Sequence, residues 1–219
     1  MDWNSIAKLS REAFREAVNE WIGKARIQGG KVSGPAAILT PGSLVSDVNI
    51  EMRVVQILAR SQVPWGISEA LARVLAAAWN EWAAGFQIHV PKAYPSLAAV
   101  PGPFARPTPA AEAPSLSQGS SGGEFALKAP LLANKLGSAL RMYTTEAQGI
   151  PDQAMKGLAE WVDASFNEWR SLVKLSGLMG GGSVPTFAPP YVPVGPVVAG
   201  VNVSVGSLFA GPRFGKVVF

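Results

Sequence analysis

Apolar residues recur along this chain at helical spacing, and three of the stripes they form carry the same tripeptide: Asn19-Glu20-Trp21, Asn80-Glu81-Trp82 and Asn167-Glu168-Trp169. The residue before the tripeptide is Val18, Trp79 or Phe166. Four positions before that residue stand Phe14, Leu75 and Val162, and seven positions after it stand Ala25, Phe86 and Val173. Spacings of three, four and seven trace one face of an α-helix. The chain therefore reads as one packing unit used three times. Its repeated core is Trp21, Trp82 and Trp169, together with Val18, Trp79 and Phe166.

The first unit, within residues 1–44, predicts a helix over about 5–26 capped by Asn4 or Ser5, ended by Gly29-Gly30 and followed by an extended arm. The second, 45–105, predicts two helices turned at Val63-Pro64-Trp65-Gly66, then a Pro-rich arm. Residues 106–123 lose all periodicity in favour of Pro, Ala, Ser and Gly, and read as a flexible linker. The third unit, 124–183, repeats the second, with Gly149-Ile150-Pro151-Asp152 at the matching turn. In the last segment, 184–219, a Pro-rich stretch precedes Val201, Val203 and Val205, which alternate with Asn202 and Ser204 at the two-residue period of a half-buried strand. A second strand over 213–219 would close a hairpin. The predicted fold is mainly α: duplicated helical hairpins with long Pro/Gly-rich arms and a short C-terminal β-hairpin, the first unit being a half repeat.

Composition sharpens this picture. The chain is 48% hydrophobic and only 16% charged, against a usual charged fraction of about 25%. No charged residue occurs from Leu175 to Pro212, and Pro185, Pro189, Pro190, Pro193 and Pro196 would break any helix there. So much apolar surface in extended chain implies an obligate partner, either copies of itself or a larger assembly. The arms could instead wrap back over the hairpins. For docking to a partner the candidate residues are Phe187, Tyr191, Val201, Val203, Val205 and Phe219.

Candidate chemistry is sparse. The single histidine, His89, has no metal-ligating or triad partners near it in sequence. The absence of Cys excludes disulfides and thiolate sites. Glu160 and Asp163 flank a buried stripe and read as a solvated face. Gly180-Gly181-Gly182 and Gly29-Gly30-Lys31 lack the context of a phosphate loop and read as helix ends. A net charge of +4 gathers partly near the N-terminus in Lys8, Arg11, Arg15, Lys24, Arg26 and Lys31. Glu12, Glu16 and Glu20 interleave with them, so pairing within the helix is a simpler reading than nucleic-acid binding. Neither a catalytic residue nor a cofactor is expected.

Hairpins such as Ala77-Ala78-Trp79-Asn80-Glu81-Trp82-Ala83-Ala84-Gly85, followed by stretches such as Pro185-Thr186-Phe187-Ala188-Pro189-Pro190, resemble small structural proteins of tailed bacteriophage particles. The resemblance covers the second and third units and transfers no site residues. It implies a non-enzymatic virion component, assembled in the host cytoplasm with other virion proteins. The competing expectation is a membrane-active or lipid-surface protein using the uncharged 175–212 stretch.

Overall fold

The computed structural model describes residues 2–94, 108–143, 151–183 and 198–216. Helix α1 (Trp3–Lys24) begins where the Asp2 carboxylate accepts the Ser5 amide at 2.9 Å. That bond satisfies a free N–H of the first turn and holds the Asp2 carboxyl below the usual carboxylate range. Ile6, Phe14, Val18 and Trp21 lie on its buried face. At Ala25 the backbone becomes extended, and the chain runs directly into β1 (Arg26–Ser33). Gly34, at φ 60°, turns it into β2 (Ala36–Leu39), and β3 (Leu44–Val45) then pairs with the start of β1.

Helices α2 (Ile50–Arg60) and α3 (Trp65–Gly85) form the first hairpin, and α3 continues without a loop into β4 (Phe86–Val90). Two short strands follow, β5 (Thr108–Pro109) and β6 (Ser120–Ser121). The second hairpin is α4 (Ala129–Leu140) with α5 (Asp152–Leu172). After α5 come β7 (Lys174–Leu175), β8 (Leu178–Ser183), β9 (Val198–Ser204) and β10 (Phe209–Ala210).

The repeated unit is therefore a long helix that passes straight into a strand. Trp21, Trp82 and Trp169 each stand four residues before the residue where the helix gives way to extended chain: Ala25, Phe86 and Val173. All three of these exit residues are buried. One helical turn thus carries the tryptophan into the core while the backbone leaves for the sheet.

The strands assemble in the order β5-β8-β9-β1-β2-β4-β6, every neighbouring pair antiparallel, with β3 beside β2 on β1. A separate two-stranded ribbon pairs β10 with β7. Among the described residues, five α-helices and an eight-strand antiparallel sheet share one hydrophobic core, a mixed α/β fold that corrects the expectation of a mainly α protein with a C-terminal hairpin. Strand β9 pairs with β1 and β8, while 213–216 form no strand. In β1 and β8 glycine leaves little alternation to read, whereas glycine-free β4 alternates Phe86, Ile88 and Val90 with Gln87 and His89 but follows the α3 stripe without a break. Gly29-Gly30 and Gly180-Gly181-Gly182 lie inside β1 and β8, not at helix ends. Gly29, at φ 90°, forms a bulge against β9. Residues 108–123, read above as a linker, carry β5, β6 and the fully buried Leu116, and Arg170 donates to the Gly119 carbonyl at 2.6 Å.

The three units meet. Trp79 packs on Trp21, Trp82 and Trp169 with ring centroids 5.6, 4.9 and 5.7 Å apart. Phe166 lies 5.2 Å from Trp82, and Phe14 packs edge-on to Trp79. Most of these contacts are tilted or T-shaped, the arrangements that place a positive ring edge on a negative ring face. Trp79 and Trp169 keep their indole N–H groups without a hydrogen-bond partner, surrounded by rings instead of oxygen atoms.

Candidate interaction surface

Alternation along the strands decides what each face of the sheet presents. Ile27, Val32, Ala37, Leu39, Phe86 and Ile88 point to the helices and join the core. Pairing registers place Gly181, Val201, Lys31, Ile38 and His89 in one row across the opposite face. Met179, Val203 and Gln28 form the next. Val201 and Val203 fall in these outer rows, and Val205, one residue past the end of β9, continues their two-residue period as a β-branched stripe. Val201 is 53% and Val205 59% exposed, and Val203 is half-buried.

Between the two outer rows runs an inner row whose centre is polar. Asn202 is fully buried, and its Oδ1 accepts the Tyr94 hydroxyl at 2.6 Å while Nδ2 donates to the Lys31 carbonyl at 2.6 Å. Its strand partners are Gly30 on one side and Gly180 on the other. A Cβ on Gly30 would stand 2.6 Å from Leu39 Cδ2, and one on Gly180 would stand 2.8 Å from the Tyr94 ring. The glycines thus make room for the amide and for the ring that reaches it. Burial pushes the Tyr94 hydroxyl above its ordinary range. This network pins β9 between β1 and β8 and so sets which way its valines point.

Charge on the sheet is one-sided. Its basic residues include Arg26 and Lys31, and no described strand contains Asp or Glu. Arg26 holds Asp47 by two bonds of 2.6 and 2.8 Å, which lowers the Asp47 pKa. Lys31 and His89 are exposed in the valine row.

The six repeated-core residues are all buried in one cluster, and none reaches the surface. Of the six docking residues, Phe187, Tyr191 and Phe219 lie outside the described residues. The other three form the stripe, but they cannot add to a neighbour's sheet as an edge strand, because both edges of β9 are already paired. What they offer is a face. The tripeptide polar residues serve differently in each unit. Asn19 Nδ2 bonds the Arg15 carbonyl at 2.7 Å and Asn167 Nδ2 bonds the Asp163 carbonyl at 2.8 Å, whereas Asn80 is exposed. Glu20 pairs with Lys24 within α1 at 3.2 Å, as expected, while Glu16 and Glu20 also pair with Arg53 of α2, so the N-terminal charge joins two helices as well as pairing within one. Asp163 is also more than a solvated surface group: its Oδ2 accepts the Ala129 amide at 3.0 Å and caps α4.

Sequence reading missed two features. The Asn202–Tyr94 pair joins residues 108 positions apart, and no local pattern announces it. The second is an open groove of about 590 Å³ between α4 and α5, lined by Asn134, Ser138, Arg141, Asp152 and Lys156 among others. Its one signal is the small residues Ala133 and Gly137 at helical spacing. Among the described residues no group of three or more His, Cys, Asp or Glu is placed to hold a metal ion. No described helix is long and apolar enough to cross a membrane. Comparison with family models, curated proteins and solved structures gives no match.

Proposed function

We propose that the chain is a non-enzymatic structural subunit of a large assembly, of the kind found in a virion, and that it docks to neighbouring subunits through the outer face of its sheet. The observation that carries this reading is the stripe of exposed Val201, half-buried Val203 and exposed Val205, beside half-buried Met179 and Ile38, on the sheet face opposite the one that joins the core. Exposed β-branched residues along one face of a sheet are costly in water and favourable under a second surface. Lys31, with no carboxylate in any described strand to offset it, favours a neighbour whose contact is apolar at the centre and acidic at the rim. The aromatic core supports the same role. It uses the repeated tripeptide units of this chain for rigidity, leaving the surface to make contacts.

The test is the mass in solution of wild type and of a Val201→Lys, Val205→Lys variant, measured by sedimentation over a range of concentrations. Wild type should sediment above its 23.0 kDa chain mass. The variant should sediment as a monomer with an unchanged melting temperature. A folded wild type that stays monomeric throughout, or a variant that assembles as well as wild type, would reject the proposal.

A further inference from the structure

After β9 the chain makes a second, separable attachment to its own body. Gly206, at φ 74° and with no atom within 4 Å of where a Cβ would stand, starts a segment that reaches back over α1 and α5. Leu208 is fully buried, Phe209 packs 5.3 Å from Trp169, and β10 adds to β7. Phe214 then enters the aromatic core completely. Its ring lies 5.9, 5.5, 5.9 and 6.3 Å from Phe14, Trp79, Trp161 and Trp169. Asn19 clasps the main chain of the same residue from both sides: its Oδ1 accepts the Phe214 amide at 3.0 Å, and its Nδ2 donates to the Phe214 carbonyl at 3.1 Å. The clasp is pre-set, because Nδ2 also donates to the Arg15 carbonyl one helical turn back.

These are the contacts of a bound peptide: a side-chain amide reading backbone, aromatic anchors in a socket, and exposed Arg213 and Lys216 beside the anchor. The socket belongs to α1, α3 and α5 and does not depend on which chain supplies the segment. We infer that it is a segment-exchange site, able to take residues 206–216 of a neighbouring copy in place of its own. From Gly206 to Phe214 is eight residues, so an extended segment reaches at most about 28 Å. Only a copy already alongside can be reached. Intramolecular seating competes at an effective concentration of order millimolar, so exchange belongs to the crowded particle and not to dilute solution. The inference rests on the proposed assembly role and supplies a lock for it.

The chain has no cysteine, which makes a cross-linking test clean. Arg15 lies at the rim of the socket, its Cγ 3.0 Å from where a Cβ on Gly215 would stand, and Lys216 follows Gly215 directly. Full-length Arg15→Cys and Lys216→Cys chains are mixed at near-millimolar concentration and treated with a short bismaleimide. An Ala77→Cys chain, altered on the exposed face of α3, replaces Arg15→Cys as the collision control. The double variant in one chain should cross-link internally, showing that the segment is seated. The mixed single variants should give a heterodimer several-fold above the control. Internal cross-linking with no heterodimer above control means that the segment stays with its own chain, which overturns the inference. Failure of the double variant to cross-link internally overturns it as well, since Phe214 would then not occupy the socket. Sedimentation of the same samples separates the two proposals. Assembly without heterodimer removes the exchange alone, while absence of assembly removes both.

Discussion

Asn202 and Tyr94 show how much a single residue decides in this molecule. A buried amide in the centre of a sheet is tolerable only with its polar atoms paired, and here the tyrosine hydroxyl and the Lys31 carbonyl pair them. Tyr94→Phe leaves the Asn202 oxygen without that donor and should cost about 1–3 kcal/mol near neutral pH, measured by denaturant unfolding. The pH dependence has a definite sign. Burial raises the folded pKa of Tyr94, so its contribution is complete below the ordinary tyrosine value of about 10 and is lost as pH rises beyond it. Wild type should therefore lose stability above about pH 10 more steeply than the phenylalanine variant. Equal slopes would show that the hydroxyl is not held as described. The tripeptides give a second contrast. Trp82→Ala should cost about 3–5 kcal/mol through the cavity left in the ring cluster, and Asn19→Ala about 1–3 kcal/mol through the lost clasp. Asn80→Ala, at an exposed position, should change the unfolding free energy by less than about 0.5 kcal/mol.

At the scale of elements, the helix-to-strand unit accounts for the repetition. In each copy a helix of 21 or 22 residues delivers its tryptophan to the core one turn before the chain departs as a strand. The stripes were readable because a helix buries one face at a period its own sequence displays. The strands that follow were not: β1 and β8 place glycine where side chains would mark the alternation, and β4, which does alternate, continues the apolar stripe of α3 without a loop. Those glycines have a packing role that can be tested. Gly30→Ala drives a methyl group to 2.6 Å from Leu39, and Gly180→Ala drives one to 2.8 Å from Tyr94. Each should destabilise the protein by about 1–3 kcal/mol, read as a lower thermal midpoint. A midpoint at or above wild type in both variants would mean that the sheet centre has slack not seen here.

For the whole molecule, β9 is the keystone. It lies between β1 and β8, and the segment beyond it carries Phe214 into the core. Deleting 198–219 should therefore abolish cooperative thermal unfolding instead of releasing a folded body without its arm. Circular dichroism on heating decides between these outcomes. A truncated chain with a sharp transition near that of wild type would show that the helices hold together without the strand or the plug. The same placement changes how docking works. The valines meet a partner as a face, fixed in direction by the Asn202 row, and the backbone of β9 is not free to pair outward.

From its sequence alone this chain determined three amphipathic helices, the tryptophans they bury, the two helical hairpins and the stripe of alternating valines. Each of these is a periodicity within some twenty residues, imposed by the geometry of one element. Tertiary structure alone decided that the three helices share one aromatic core, that glycine-rich segments become the central strands, and that Asn19 holds Phe214. These pairings join residues far apart in the chain, up to 195 positions for the Asn19 clasp. Such a contact leaves no local period, because its free energy comes from the closed fold and not from either segment.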